Sequence, residues 1–235
     1  GQRTANANLG ATLPLDSCSY DGLSNTRTCE LWAIAGTIDL PGSPGMPIWG
    51  FTDTDPGLGG QARLPGPTII ANQGENVEII LHNNLAETTS LMFPGQAMLP
   101  DLTGVAAGGS TTYSFAASSP GTYLYEAGPL AGAQHQVAMG LYGGLIIRPA
   151  FNQAYGPGSI FNDEALLVLS EIDPALNQSA NPAAFDMRAY APKFFLINGL
   201  AYPETEEIPS TAGNAVLLRI VNAGIEQHSL GTLGV

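Results

Sequence analysis

Short strand-like segments recur at regular spacing through the middle of this chain. Between residues 68 and 149 they are TIIANQG, NVEIILHNNL, TTSLMF, STTYSFAA, GTYLYEAG and GLYGGLIIRP. Each is rich in β-branched or aromatic residues and is bounded by turn-forming residues. None has the 3.6-residue period of a long amphipathic helix. The pattern therefore predicts an all-β chain that folds as a sandwich or barrel.

The flanking segments set the predicted domain organisation. ELWAIAGTIDL is predicted as the first strand, and EALLVLSEI, KFFLINGLAYP and NAVLLRIVNAG as later ones. The Pro/Gly-rich stretch at 41–67 is predicted as a long loop held down by Trp49 and Phe51, and the one at 149–159 as a domain boundary. We therefore predict an N-terminal arm with a disulfide loop at 1–30, a first domain at 31–150 and a partial second domain at 160–235.

Composition and charge exclude several classes of function. The formal net charge is −13 and the only lysine is Lys193, so duplex nucleic acid and anionic membrane surfaces are poor partners. No apolar run approaches the roughly 20 residues of a membrane span. The chain also lacks a P-loop, a dinucleotide fingerprint and a metalloprotease helix. The sequence predicts neither nucleotide chemistry nor a membrane-spanning protein.

The two cysteines, Cys18 and Cys29, lie close together and are flanked by turn-forming residues. We predict a disulfide between them, which on the loop-entropy model contributes about 3 kcal/mol. The alternative is two free, buried thiols; a metal pair is disfavoured because no histidine or third cysteine lies nearby. A disulfide indicates an oxidising compartment, so the chain is predicted to be secreted, either extracellular or periplasmic.

Three separate segments together resemble one known family. They are GPTI…GENVEIILHNNL…TS, then PGTYLYEAG…GLYGGLIIRP, then FFLINGLAYP…AVLLRIVNAG, in this order. This pattern resembles the cupredoxin domains of multicopper oxidases over residues 31–235, and is most similar to large many-domain members such as the manganese-oxidising and ceruloplasmin-like proteins. The resemblance implies a cupredoxin-like Greek-key β-sandwich followed by the first half of a second cupredoxin sandwich.

The resemblance also shows where copper ligands are expected. In the family, the strand after "TS" carries His-x-His-Gly and the "GTY" strand carries His-x-His, and these histidines bind part of a three-copper cluster. This chain has Met92, Pro94, Glu126 and Gly128 at those positions. Imidazole is the ligand that suits copper in such a cluster. We therefore predict that residues 1–150 bind no copper at this site.

A blue copper site is excluded from the first domain for a different reason. Such a site needs a cysteine ligand, and the chain has none beyond Cys18 and Cys29. Of the histidines in this domain, His82 is predicted to be structural and His135 to be a surface or hydrogen-bonded loop residue.

His228 is the one histidine with a predicted metal role. It follows the "NAG" of VNAGIEQHSLG. In the family, a histidine here can be the first ligand of a blue copper, and the remaining ligands would then lie outside this chain. The alternative is a buried histidine that is hydrogen-bonded to the backbone.

Two functions are consistent with these observations. In the first, the chain is the N-terminal portion or a subunit of a secreted multicopper oxidase, which couples one-electron substrate oxidation to oxygen reduction and has its copper elsewhere. In the second, it is a non-catalytic cupredoxin subunit for assembly or extracellular structure. Neither function places a complete active site within this chain.

The partial second domain predicts a partner. Val216, Leu218 and Ile220 are expected to lack a facing sheet, and an unpaired strand edge favours association. We predict that another polypeptide, either a continuation or a separate chain, completes the domain in an oligomer or complex.

Overall fold

The computed structural model describes residues 18–151 and 153–231. The predicted all-β class is confirmed. The strands are β1 (Ser19–Asp21), β2 (Thr26–Leu40), β3 (Ser43–Thr52), β4 (Gly66–Asn72), β5 (Asn76–Asn83), β6 (Leu91–Met92), β7 (Ser110–Ala116), β8 (Gly121–Ala127), β9 (Tyr142–Arg148), β10 (Asp163–Ile172), β11 (Phe194–Ile197), β12 (Leu200–Ala201) and β13 (Val216–Asn222). The α-helices are α1 (His135–Met139) and α2 (Pro174–Asn177), and 3₁₀ turns lie at Pro56–Leu58, Pro182–Ala184 and Met187–Ala189. No helix within the described ranges is long and apolar enough to cross a membrane.

The first unit is a sandwich of two mixed sheets. One sheet has the order β1-β2-β5-β7, with β3 added on β2, and the other has the order β4-β9-β8-β6. β2 pairs with β5 and β4 pairs with β9 in parallel, whereas the other pairs are antiparallel. The core between the sheets is hydrophobic and includes Leu31, Ile69, Ile79, Leu81, Tyr125 and Leu145, with the buried Tyr125 hydroxyl donating to the Pro67 carbonyl.

The sequence prediction of a loop at 41–67 was wrong over its first half. Residues 43–52 form β3, which pairs with β2 as a hairpin. Among the described residues β3 pairs with β2 along one side and forms only the isolated Phe51–Arg63 bridge on the other, so it tolerates proline and glycine as an edge strand does. Met46 and Ile48 are buried, and the residue between them is more exposed, as expected for a strand. The high proline and glycine content of the segment made this two-residue periodicity hard to recognise in the sequence.

The predicted disulfide is confirmed. Cys18 and Cys29 are bonded across the β1–β2 hairpin, and β2 begins at Thr26, inside the stretch assigned to the arm. Cys29 is 3% exposed and belongs to the core of the sandwich. The bond therefore ties Cys18, directly before β1, to the core.

Replacing both cysteines by serine should lower the free energy of unfolding by about 3 kcal/mol, because the short loop is no longer closed in the unfolded chain. Urea unfolding of the variant and the oxidised parent measures the difference. The reduced parent should match the variant. Equal midpoints for the variant and the oxidised parent would contradict the prediction.

The third sheet has the order β12-β11-β10-β13 and packs on the outer face of the second sheet. Leu166 and Val168 of β10 share a buried cluster with Ile146 of β9 and with Met46 and Ile48 of β3. The two units therefore have a common apolar interface. The fold agrees with the predicted cupredoxin sandwich followed by part of a second one.

A buried ionic network crosses this interface. The Glu164 carboxylate on β10 accepts hydrogen bonds from Arg148 on β9 and Arg219 on β13. Arg219 also donates to the Thr122 hydroxyl on β8 at 2.9 Å. The side chains of Glu164 and Arg219 are 0% and 1% exposed. Their charges are therefore compensated within the protein and not by water.

The β11–β12 turn also contacts the first unit. Asn198 and Gly199 have φ of 51° and 79°, as in the type I′ turns that Asn-Gly favours. The Asn198 side chain accepts from the Val168 amide at 2.9 Å and donates to the Leu166 carbonyl at 2.8 Å. At Gly199 a Cβ would overlap the Leu64 carbonyl, so the backbone of the turn lies directly on the first unit.

Candidate functional site

The edge of the second sheet carries the positions where the family has copper ligands. Met92 on β6 lies opposite Glu126 on β8, next to the pair formed by Leu91 and Ala127. Leu91 and Ala127 are buried in the core, so Met92 and Glu126 point to the outer face. Burial raises the pKa of the Glu126 carboxyl. No hydrogen bond or ion pair to its carboxylate was found among the described residues.

The two other positions have no ligand atom to offer. Pro94 has no donor side chain, and Gly128 lies against Ser90, whose hydroxyl would overlap any Cβ placed there. The Ser90 hydroxyl donates to the Asp101 carbonyl at 3.3 Å, so a larger residue at 128 would also disturb that loop. The four residues therefore do not fit the family's three-copper cluster.

No cluster of three or more His, Cys, Asp or Glu side chains that could hold a metal ion occurs in the part of the chain that the structure describes.

Glu126→Gln should stabilise the protein at pH 7. Because the folded state raises the pKa of this carboxyl, its ionised form opposes folding above that raised value. The penalty should disappear once the pH falls below the ordinary value of 4.5, where the carboxyl is protonated in both states. Unfolding curves of both proteins at pH 7 and near pH 4 measure this. A variant that is less stable at pH 7 would contradict it.

His82 and His135 both have structural partners. The His82 ring stacks on Trp32 at 4.6 Å between centroids, and its Nε2 lies 3.1 Å from Glu30. His135 is hydrogen-bonded as predicted, with Nε2 2.9 Å from Glu87. It is the first residue of α1, however, and is only 2% exposed, so it is neither on the surface nor in a loop.

His228 lies next to Glu171 of β10 and Phe195 of β11 in the third sheet. Its side chain is 24% exposed, and Nε2 is 3.9 Å from Oε2 of Glu171. The ring of Phe195 meets it edge-on at 6.1 Å between centroids. No hydrogen bond to Nδ1 of His228 was found among the described residues. One imidazole nitrogen is therefore available, so His228 fits the role of a single metal ligand.

Sequence reasoning missed Glu171, which lies beside His228. Its Oε1 accepts hydrogen bonds from the backbone amides of Ile225 and Glu226. Its Oε2 is buried and has no hydrogen-bond partner among the described residues. The available signal was an acidic residue inside the apolar run EALLVLSEI, where a charge is unexpected in a buried strand.

Comparisons with known proteins find similarity to multicopper oxidases. A family model described as multicopper oxidase matches residues 52–151. Laccase-2 of Botryotinia fuckeliana is 30% identical over 91% of this chain and 38% of its own length. Multicopper oxidase CTB12 of Cercospora beticola is 35% identical over 36% of this chain and 14% of its own.

Among solved structures, a blue copper oxidase from Nitrosomonas europaea matches with a TM-score of 0.70 and 20% identity, covering 85% of this chain and 61% of that one. This likeness shows the cupredoxin fold. The chain spans 38% or less of the length of the two curated relatives named above. The family model shows a multicopper oxidase domain at residues 52–151, and the chain is similar to laccases and multicopper oxidases in sequence and in fold.

Proposed function

We propose that this chain is the N-terminal portion of a laccase-like multicopper oxidase in which the first cupredoxin unit is a copper-free scaffold. The parent enzyme couples the one-electron oxidation of its substrate to the reduction of oxygen. The proposal rests on the sheet edge at which the family has its copper ligands. There Met92 and Glu126 face outward, and the Ser90 hydroxyl leaves no room for a side chain at Gly128. The copper of the parent assembly is then bound outside residues 1–150.

The third sheet is the surface through which the chain joins the rest of that assembly. Val216, Leu218 and Ile220 are 40%, 37% and 40% exposed on β13, and Phe195 is 53% exposed on β11. Burying such a side chain fully is worth about 1.5–3 kcal/mol. β13 is also an edge of its sheet among the described strands, so its outer backbone groups are free to pair.

We propose that this face receives the facing sheet of the second cupredoxin unit, from the same polypeptide or from a separate chain. The greater length of the relatives supports this, since the chain covers 38% of Laccase-2.

His228 is the residue of this chain that would hold copper. It offers one imidazole nitrogen on the face that the second unit would cover, and the remaining ligands would come from outside this chain. Bound there, copper would supply one-electron transfer. The confirmed disulfide supports the proposal that the assembly is exported, because such bonds persist in oxidising compartments.

The second candidate is a non-catalytic cupredoxin subunit for assembly or extracellular structure. The absence of a histidine at all four ligand positions favours it. In this case the outer face of the third sheet binds a partner that also lacks copper.

Isolation of the native protein separates the two candidates. Size-exclusion chromatography with mass detection is followed by copper analysis, intact mass and an oxidase assay with a phenol and with Mn²⁺. Copper and oxidase activity in the species that contains this chain support the first proposal. A stable complex without copper or activity supports the second.

A further inference from the structure

We infer that Glu171 is the positioning residue for His228: its second carboxylate oxygen, Oε2, accepts a hydrogen bond from Nε2–H and leaves Nδ1 as the nitrogen that binds a metal ion. The inference rests on the metal-ligand role proposed for His228. It adds a residue that the family's ligand pattern does not predict.

Glu171 is fixed in place by the turn that follows β13. Its side chain is 0% exposed, and Oε1 accepts from the amides of Ile225 and Glu226. Gly224 approaches so closely that a Cβ there would overlap the carboxylate. These contacts hold the carboxylate rigidly, so its second oxygen has a defined direction.

That second oxygen is buried and has no hydrogen-bond partner in the part of the chain that the structure describes. A buried carboxylate oxygen without a hydrogen bond is destabilising, so Oε2 needs a donor. Nε2 of His228 lies 3.9 Å away, about 1 Å beyond an ordinary N–H···O bond. The ring is partly exposed, so a small movement of the side chain closes this gap.

The surroundings of the ring restrict how it can turn. Phe195 lies opposite Glu171 in the β10–β11 register, so both side chains are on the same face of the sheet. The ring of Phe195 is edge-on to that of His228, at an interplanar angle of 80°. His228 is thus placed between an acceptor and an aromatic ring.

This arrangement matches a general feature of metal-binding histidines. Such residues almost always donate the second ring N–H to a carboxylate, carbonyl or water, which fixes the tautomer and the ring orientation. With Nε2–H directed to Glu171, the lone pair of Nδ1 is left for the metal.

Glu171→Gln tests the inference in the full chain. Glutamine keeps one oxygen for the two backbone amides and puts an NH₂ donor in place of Oε2. Glu226→Gln is the matched control, because it removes the same charge from the exposed turn next to His228. Amide exchange of Ile225 and Glu226 verifies that the turn is intact in both variants.

The first measurement is the tautomer of His228 in the metal-free chain, from the ¹⁵N shifts of its ring. We expect Nε2–H in the parent and in Glu226→Gln, and Nδ1–H in Glu171→Gln. The second is a Cu²⁺ titration followed by broadening of the His228 ring signals. We expect Glu171→Gln alone to weaken binding by roughly 10–100-fold.

An unchanged tautomer in Glu171→Gln, or equal copper affinity in that variant and the parent, would overturn the inference. A tautomer switch together with no copper binding at His228 in the parent would instead overturn the ligand role of His228. The failure of one proposal is thus distinguishable from the failure of the other.

Discussion

Glu164→Ala is expected to lower the free energy of unfolding by about 3–5 kcal/mol. The variant leaves Arg219, 1% exposed, and the partly buried Arg148 without the carboxylate that both now contact. A buried charge without a partner costs more free energy than the intact ion pair contributes to stability. The loss in the variant is therefore larger than the net contribution of the two ion pairs. Urea unfolding measures the loss of stability, and amide exchange across 216–222 shows whether β13 is destabilised.

Arg188→Ala is the control for this experiment. Arg188 pairs with Asp186 in full contact with solvent, since their side chains are 90% and 54% exposed. Surface pairs of this kind contribute little, so the unfolding midpoint should hardly move. Comparable losses in Glu164→Ala and Arg188→Ala would contradict a buried network that joins the two units.

Gly199→Ala is expected to be the other severe change. Gly199 has φ of 79°, and a Cβ there would overlap the Leu64 carbonyl of the first unit. The variant therefore combines backbone strain of about 1–2 kcal/mol with an overpacking term of roughly 1–3 kcal/mol. Unfolding curves should show a loss of stability equal to the sum of these two contributions.

Gly213→Ala separates the contribution of backbone strain from that of overpacking. Gly213 also has positive φ, at 90°, but no atom of the described residues lies within 4 Å of an added Cβ. It should show only the strain of about 1–2 kcal/mol. Equal losses of stability in the two alanine variants would contradict a close contact between the turn and Leu64.

The strand pattern was predictable because each segment carries its own signal. Alternation of buried residues along β5 and β7, with turn-formers between them, follows from local sequence alone. β3 was missed because its signal competes with Pro44, Pro47 and neighbouring glycines, and only its position at a sheet edge makes them acceptable.

The candidate site was predictable only in part. Position in the sequence was enough to place Met92 and Glu126 where the family has histidines. Glu171 could not be found this way because its role depends on contacts with Ile225 and His228, which are more than fifty residues later in the chain. The Glu164 network was missed for the same reason, since Arg148 and Arg219 meet it only once two sheets have packed.

Copper stoichiometry of the full chain and of His228→Ala, after copper loading and removal of excess metal, tests the central claim most directly. The account predicts that residues 1–150 retain no copper, so His228→Ala should be copper-free by elemental analysis and show no Cu²⁺ signal by electron paramagnetic resonance. One or more equivalents of copper in His228→Ala, lost on changing Met92 and Glu126 to alanine, would contradict it.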